Sequence, residues 1–135
     1  MTCRLFNKKT YITLFVVYLA AVAFLCFMKP DDMPEIQKDL FGIPMDKVAH
    51  FLMFLPYPIL GAVSFMHKKT GIWRNLAVLA VIATVGAGLA YGTEVIQAQT
   101  GYRAYEITDF VADMTGIATG TLLTAAGLII QKTRL

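Results

Sequence analysis

Three short motifs carry nearly all the chemistry this chain can offer. They are Asp46-Lys47-x-x-His50, Glu94-x-x-Gln97 followed by Arg103, and Asp109-x-x-x-Asp113. Residues three or four apart share a helical face. Asp46, Lys47 and His50 therefore point one way if their segment is helical, as do Glu94 with Gln97 and Asp109 with Asp113. Glu94 or His50 suits a general base, and a carboxylic acid such as Asp113 suits a proton donor. Lys47 and Arg103 supply the cations that hold a phosphate or carboxylate. Plainer roles compete. Asp46 and Asp109 are also ordinary helix-start residues, His50 is also a packing residue that hydrogen-bonds between helices, and Arg103 is also an interfacial cation paired with Glu94 or Asp109. Glu94 resists such a reading, because a carboxylate near a helix C-terminus opposes the helix dipole.

The elements that must position these groups are long apolar helices. Four stretches approach the ~20 residues needed to cross a bilayer core: about 11–28, 48–66, 75–97 and 110–130. All three motifs lie at the ends of the last three stretches. Ionisable groups at or within membrane spans are costly and mark function by default. An up-and-down arrangement of four spans brings the three motifs to one level, beside the short loop with Tyr102, Arg103 and Tyr105, and places Tyr91 one turn deeper. Pro56 and Pro58 predict a bend in the second span. Residues 34–41 read as a short interfacial helix with Pro34 in its first turn and Gly42 at its end. Gly88-x-x-x-Gly92 and Gly116-x-x-x-Gly120 permit close helix approach and predict packing of the third span on the fourth.

Composition agrees. Apolar residues make up 57% of the 135 positions and charged residues 16%, against about a quarter charged in soluble domains. The mean hydropathy is +0.61. A single domain over 1–135 is expected. The opening segment resembles a signal peptide, with basic residues before an apolar stretch. Its apolar run is longer than such a peptide needs, and an uncleaved anchor is the expectation. Cys3 and Cys26 would be separated by roughly 35 Å along a helix, beyond disulfide reach. No aromatic-interleaved basic patch supports nucleic-acid binding, and no P-loop, GxSxG, HExxH or GxGxxG motif is present.

Charge sorting predicts the topology. Arg4, Lys8, Lys9, Lys68, Lys69, Arg74, Lys132 and Arg134 fall on one side of the pattern; Lys29, Lys38, Lys47 and Arg103 fall on the other with all nine acids. The excess of basic residues marks the cytoplasmic side, so both termini are expected in the cytoplasm and the motifs outside. Asp46, Glu94, Glu106, Asp109 and Asp113 give five negative groups against Lys47 and Arg103. Protons, a cation or a positively charged ligand must balance them. Retained protons are the expected solution, with no metal and no cofactor, and Glu106 is expected to be simply solvated.

The ordered set of motifs resembles the VanZ-like family of small polytopic membrane proteins. Asp46-Lys47-Val48-Ala49-His50-Phe51-x-x-Phe54 is similar to its opening signature. Glu94-Val95-Ile96-Gln97, Arg103 and Asp109-x-x-x-Asp113-x-x-Gly116-x-x-x-Gly120 follow in the family's order. Asp113 departs from the pattern, which carries Asn there. The resemblance implies a cell-envelope protein of a glycopeptide resistance-related family, not a particular reaction.

The expectation is therefore an all-α, integral membrane four-helix bundle with an outward-facing polar site. Glu94, His50 and Asp113 are the candidate catalytic residues. Asp46, Lys47, Gln97, Arg103 and Asp109 are the candidate binding residues. The ligand expected is a lipid headgroup, a polyprenyl-linked precursor or a cell-wall peptide, bound or modified in the membrane. A non-catalytic accessory protein and a proton- or cation-coupled transporter are the alternatives, and assembly of several copies is compatible with the glycines.

Overall fold

The computed structural model describes residues 7–28, 39–67, 69–101 and 106–133. Helix α1 spans Lys8–Phe27. Asn7 starts it by accepting the Thr10 backbone N–H at 2.9 Å, which satisfies one of the open amides of a first turn. Its residues are apolar all round, as a lipid-exposed helix requires. Phe15, Val22 and Cys26 turn inward.

Strands β1 (Asp39–Leu40) and β2 (Ile43–Pro44) pair antiparallel. Phe41 and Gly42 between them both have positive φ, 52° and 80°, as a two-residue hairpin turn of matching twist requires. The helix expected at 34–41 is thus corrected at its end: Asp39 and Leu40 are strand, and Gly42 turns a hairpin where a helix stop was expected. Residues 34–38 lie outside the described residues.

The second span is two helices, α2 (Met45–Phe54) and α3 (Pro56–Phe65). Pro56 and Pro58 lack the N–H groups that would reach back one turn, so the helical ladder is interrupted there. Leu55 keeps helical dihedrals and donates to the Phe51 carbonyl at 3.0 Å, so the span bends without coming apart. Helices α4 (Ile72–Gln99) and α5 (Ile107–Thr133) have 28 and 27 residues. At 1.5 Å per residue each is about 40 Å long, longer than the ~30 Å apolar core of a bilayer. Their ends reach headgroup depth.

All four spans are long and apolar enough to cross a membrane. The chain is an all-α, multi-pass membrane protein. Each of the last three spans begins about three residues before the apolar pattern does, so Asp46 and Asp109 sit inside first helical turns. The residue preceding α2 is Pro44, and Asp46 is not a cap.

Helix α5 lies against α2, α3 and α4, while α1 packs mainly on α3. Glycine decides these approaches. A Cβ at Gly116 would meet the Phe51 carbonyl oxygen at 2.5 Å, and one at Gly120 would collide with the Leu55 carbonyl and lie 3.0 Å from the Pro58 ring. Both glycines of the fourth span therefore receive the bent backbone of the second. The third span does pack on the fourth as expected, but not through its own glycine pair: Gly88 and Gly92 have nothing within 4 Å of a Cβ position. The proline break explains the difference, because it turns backbone toward α5 that only a glycine surface can accept. The third span uses Gly86, whose bare Cα lies under the Tyr57 ring.

Candidate functional site

The glycine contact places the polar groups. Gly116 sits on the Phe51 backbone, so Asp113, almost one turn earlier on α5, faces His50, the residue before Phe51. The His50 ring nitrogen Nδ1 lies 2.8 Å from Asp113 Oδ1. Both side chains are buried, Asp113 completely. The other ring nitrogen, Nε2, points at Asp109 Oδ2 from 3.6 Å, too long for a direct hydrogen bond. Asp113 Oδ2 is buried with no hydrogen-bond partner among the described residues.

Asp109 connects this inner pair to an outer one. Its Oδ1 accepts from Lys47 Nζ, which also donates to Asp46 Oδ2 at 2.7 Å and Glu106 Oε2 at 2.6 Å. An ammonium has three donors, and Lys47 uses all of them on carboxylates. Glu106, expected to be solvated, is exposed but ion-paired; this corrects the sequence reading. Its spacing of three residues before Asp109 was the signal that placed it on the same helical face.

Glu94 completes the cluster from α4. It is 1% exposed, and a carboxylate oxygen, a His50 nitrogen and an Asp109 oxygen lie within 4.8 Å of one another. Gln97 shares the buried face of α4 but turns toward α1, donating through Nε2 to the Cys26 carbonyl. It ties the first span to the third rather than joining the acids. Tyr91, one turn deeper on α4 as expected, is exposed and packs edge-on against Phe110, with centroids 6.1 Å apart. Arg103, with Tyr102 and Tyr105, lies outside the described residues, as does Cys3. A residue unmarked by the sequence reading, Tyr18 of α1, donates its hydroxyl to the Met53 carbonyl beside the bend.

The arrangement is a dry imidazole held between two carboxylates, with a third nearby and a lysine-centred ion network above it. An oriented imidazole in such surroundings can move a proton. The same atoms of His50, Glu94 and Asp109 are spaced closely enough to share a small cation, as are those of Asp46, Glu106 and Asp109. Asp109 belongs to both groupings and already holds Lys47.

The sequence model of the VanZ/LLP1 family matches residues 15–130. The chain belongs to that family. No curated protein sequence and no solved structure matches it. The VanZ/LLP1 match runs from the middle of α1 to the last turns of α5 and takes in every residue of the cluster. In this VanZ/LLP1 protein the two glycines of α5 and the His50–Asp113 pair form one mechanical unit: the first sets the distance that the second needs. A membrane protein of the cell envelope follows from the family and the four spans.

Proposed function

We propose that this protein recognises an envelope component at its acidic end, and that His50 performs proton transfer on it. The observation that carries the reading is the buried His50–Asp113 contact, with the second imidazole nitrogen aimed at Asp109. Asp113 holds the ring and its tautomer, a positioning role that replaces the proton-donor role expected of it. His50 is the base, and Glu94 and Asp109 are the carboxylates that stabilise its protonated form. Because Lys47 is saturated by three acids, the recognising surface is rich in acceptors. It suits a head bearing hydroxyl, amide or ammonium groups, as in a lipid headgroup, a polyprenyl-linked precursor or a cell-wall peptide. Arg103, which lies outside the described residues, is the candidate from the sequence for a phosphate or carboxylate on the same ligand.

Transport is disfavoured by the interior below the cluster. From Glu94 down to Leu79 the buried face of α4 consists of Ala90, Gly86, Ile82 and Leu79, and Thr84, which is exposed, returns its hydroxyl to the Ala80 carbonyl at 2.8 Å, so α4 offers no relay onward.

The basic asymmetry supports a site on the extracytoplasmic side with both termini in the cytoplasm. In a Cys3→Ser background, cysteine at Ile43 should react with an impermeant thiol reagent on intact cells, and cysteine at Thr70 should not. Labelling of Thr70→Cys alone would move the site to the cytoplasmic face. The chemical claim is tested by profiling envelope lipids and cell-wall precursors in cells lacking the protein. An altered species restored by wild type, but by neither His50→Gln nor Glu94→Gln, is the expected result. Full restoration by both variants would leave a binding or accessory role in place of chemistry.

A further inference from the structure

A groove opens from the end of the bundle opposite the acids. A cavity of about 580 Å³ lies between α1 and α4 over a floor from α3, within the ~300–1,000 Å³ range of ligand pockets. Three aromatic rings shape its floor and one wall: Phe15 stands 5.7 Å from both Tyr57 and Phe65. The other wall is one stripe of α4, in which Arg74, Ala77, Val81, Val85 and Leu89 recur at three- and four-residue spacing. The stripe is apolar except at its first member. Toward the acidic end α1 and α4 are tied together by Gln97 and the Cys26 carbonyl.

Length and charge identify what fits. From Arg74 to Leu89 the stripe covers about 22 Å at 1.5 Å per residue, more than the ~15 Å of one leaflet's apolar depth. Trp73 is 80% exposed beside Arg74, and an exposed Trp at a span end sits at headgroup level. Arg74 is therefore at the depth of lipid phosphates. Among the described residues it has no carboxylate partner, and every acid of the chain falls on the other side of the hydropathy pattern. Its position in the first turn of α4, where a cation opposes the helix dipole, adds to the positive potential at the mouth. Gly71, which precedes that turn, provides no side-chain cap.

We infer that this groove binds one anionic phospholipid, with an acyl chain along the Arg74–Leu89 stripe and its phosphate at Arg74. The lipid belongs to the leaflet on the basic side, which is the cytoplasmic leaflet in the topology above. The inference does not depend on what the acidic site does.

Native mass spectrometry of the full chain, released from detergent after incubation with equal amounts of phosphatidylglycerol and phosphatidylcholine of identical acyl chains, tests it. One retained lipid is expected, with the anionic species preferred about fivefold, the effect of roughly one basic residue at the membrane surface. Arg74→Gln should bring the preference close to parity while lipid is still retained. Val81→Trp, at a position 63% exposed where a larger side chain leaves the bundle intact, should lose both lipids. Equal retention of the two lipids by wild type, an unchanged preference in Arg74→Gln, or undiminished retention in Val81→Trp would overturn the inference. So would a dimer that carries no lipid, since a second copy would then cover the groove.

Discussion

The two ends of this bundle handle charge in opposite ways. At the acidic end His50, Glu94, Asp109 and Asp113 are buried, and the close approach of Gly116 and Gly120 to the second span's backbone brings His50 and Asp113 together. At the basic end, among the described residues, Lys8 reaches only His67, at 3.1 Å and in the open, and Arg74 lines the groove. Burial of paired charges is expensive, and breaking such a pair is more expensive still. Exposed charges cost little and contribute little to stability. Four ionisable groups are desolvated at one end and, among the described residues, no charged side chain is buried at the other, which supports the acidic end as the functional one.

Removing one partner from the buried pair should have the largest effect. Asp113→Ala leaves His50 with no acceptor at Nδ1, a loss of about 3–5 kcal/mol if the pair is charged, and should sharply lower thermal stability in detergent. Asp113→Asn keeps an acceptor oxygen at the same place and removes the charge. It should cost only about 1 kcal/mol, and it restores the residue that the resembling family pattern carries. Equal losses in both variants would show that the negative charge of Asp113, rather than its hydrogen bond, holds the imidazole.

Glycine substitutions come next. Gly120→Leu drives a side chain into the Leu55 carbonyl and the Pro58 ring and should cost about 1–3 kcal/mol by overpacking, more if the bend cannot shift. Gly92→Leu, with open space around it, should be neutral or slightly stabilising, because a helix interior gains from losing glycine. The two pairs have the same spacing, and thermal melting of the two variants side by side separates them. Similar melting would mean that Gly92 packs against something in the assembled protein, such as a second copy of the chain.

The contrast between those glycine pairs also marks how far the sequence could be read. Span number, the bend at Pro56 and Pro58, and the shared faces of Asp46 with His50 and Asp109 with Asp113 are legible because they rest on chain-local periodicity. Which helix Gly116 and Gly120 would meet was not legible, since it depends on where the proline-broken backbone exposes its carbonyls. The hairpin at 39–44 was hidden by the helix-like composition around it, and only the adjacent positive φ at Phe41 and Gly42 reveals it. Gln97 lies on the same helical face as Glu94 and is diverted by the Cys26 carbonyl, a partner 71 residues away in sequence. The groove was invisible for a related reason. Phe65 belongs to none of the polar motifs, and its place in the groove depends on rings that α1 and α3 bring together.

The smallest effect should come from the basic end. Lys8→Met removes the exposed contact with His67 and nothing else that the structure shows. Exposed pairs contribute about 0–1 kcal/mol and are screened by salt, so the melting temperature should move little and the change should vanish at high ionic strength. The imidazole concerned is not held between carboxylates as His50 is. If Lys8→Met instead destabilised the protein as much as Asp113→Ala, the two ends would be energetically alike. The burial of charge at the acidic end would then no longer distinguish it as the functional one, because desolvation would not be what separates a costly charge from an ordinary one in this bundle.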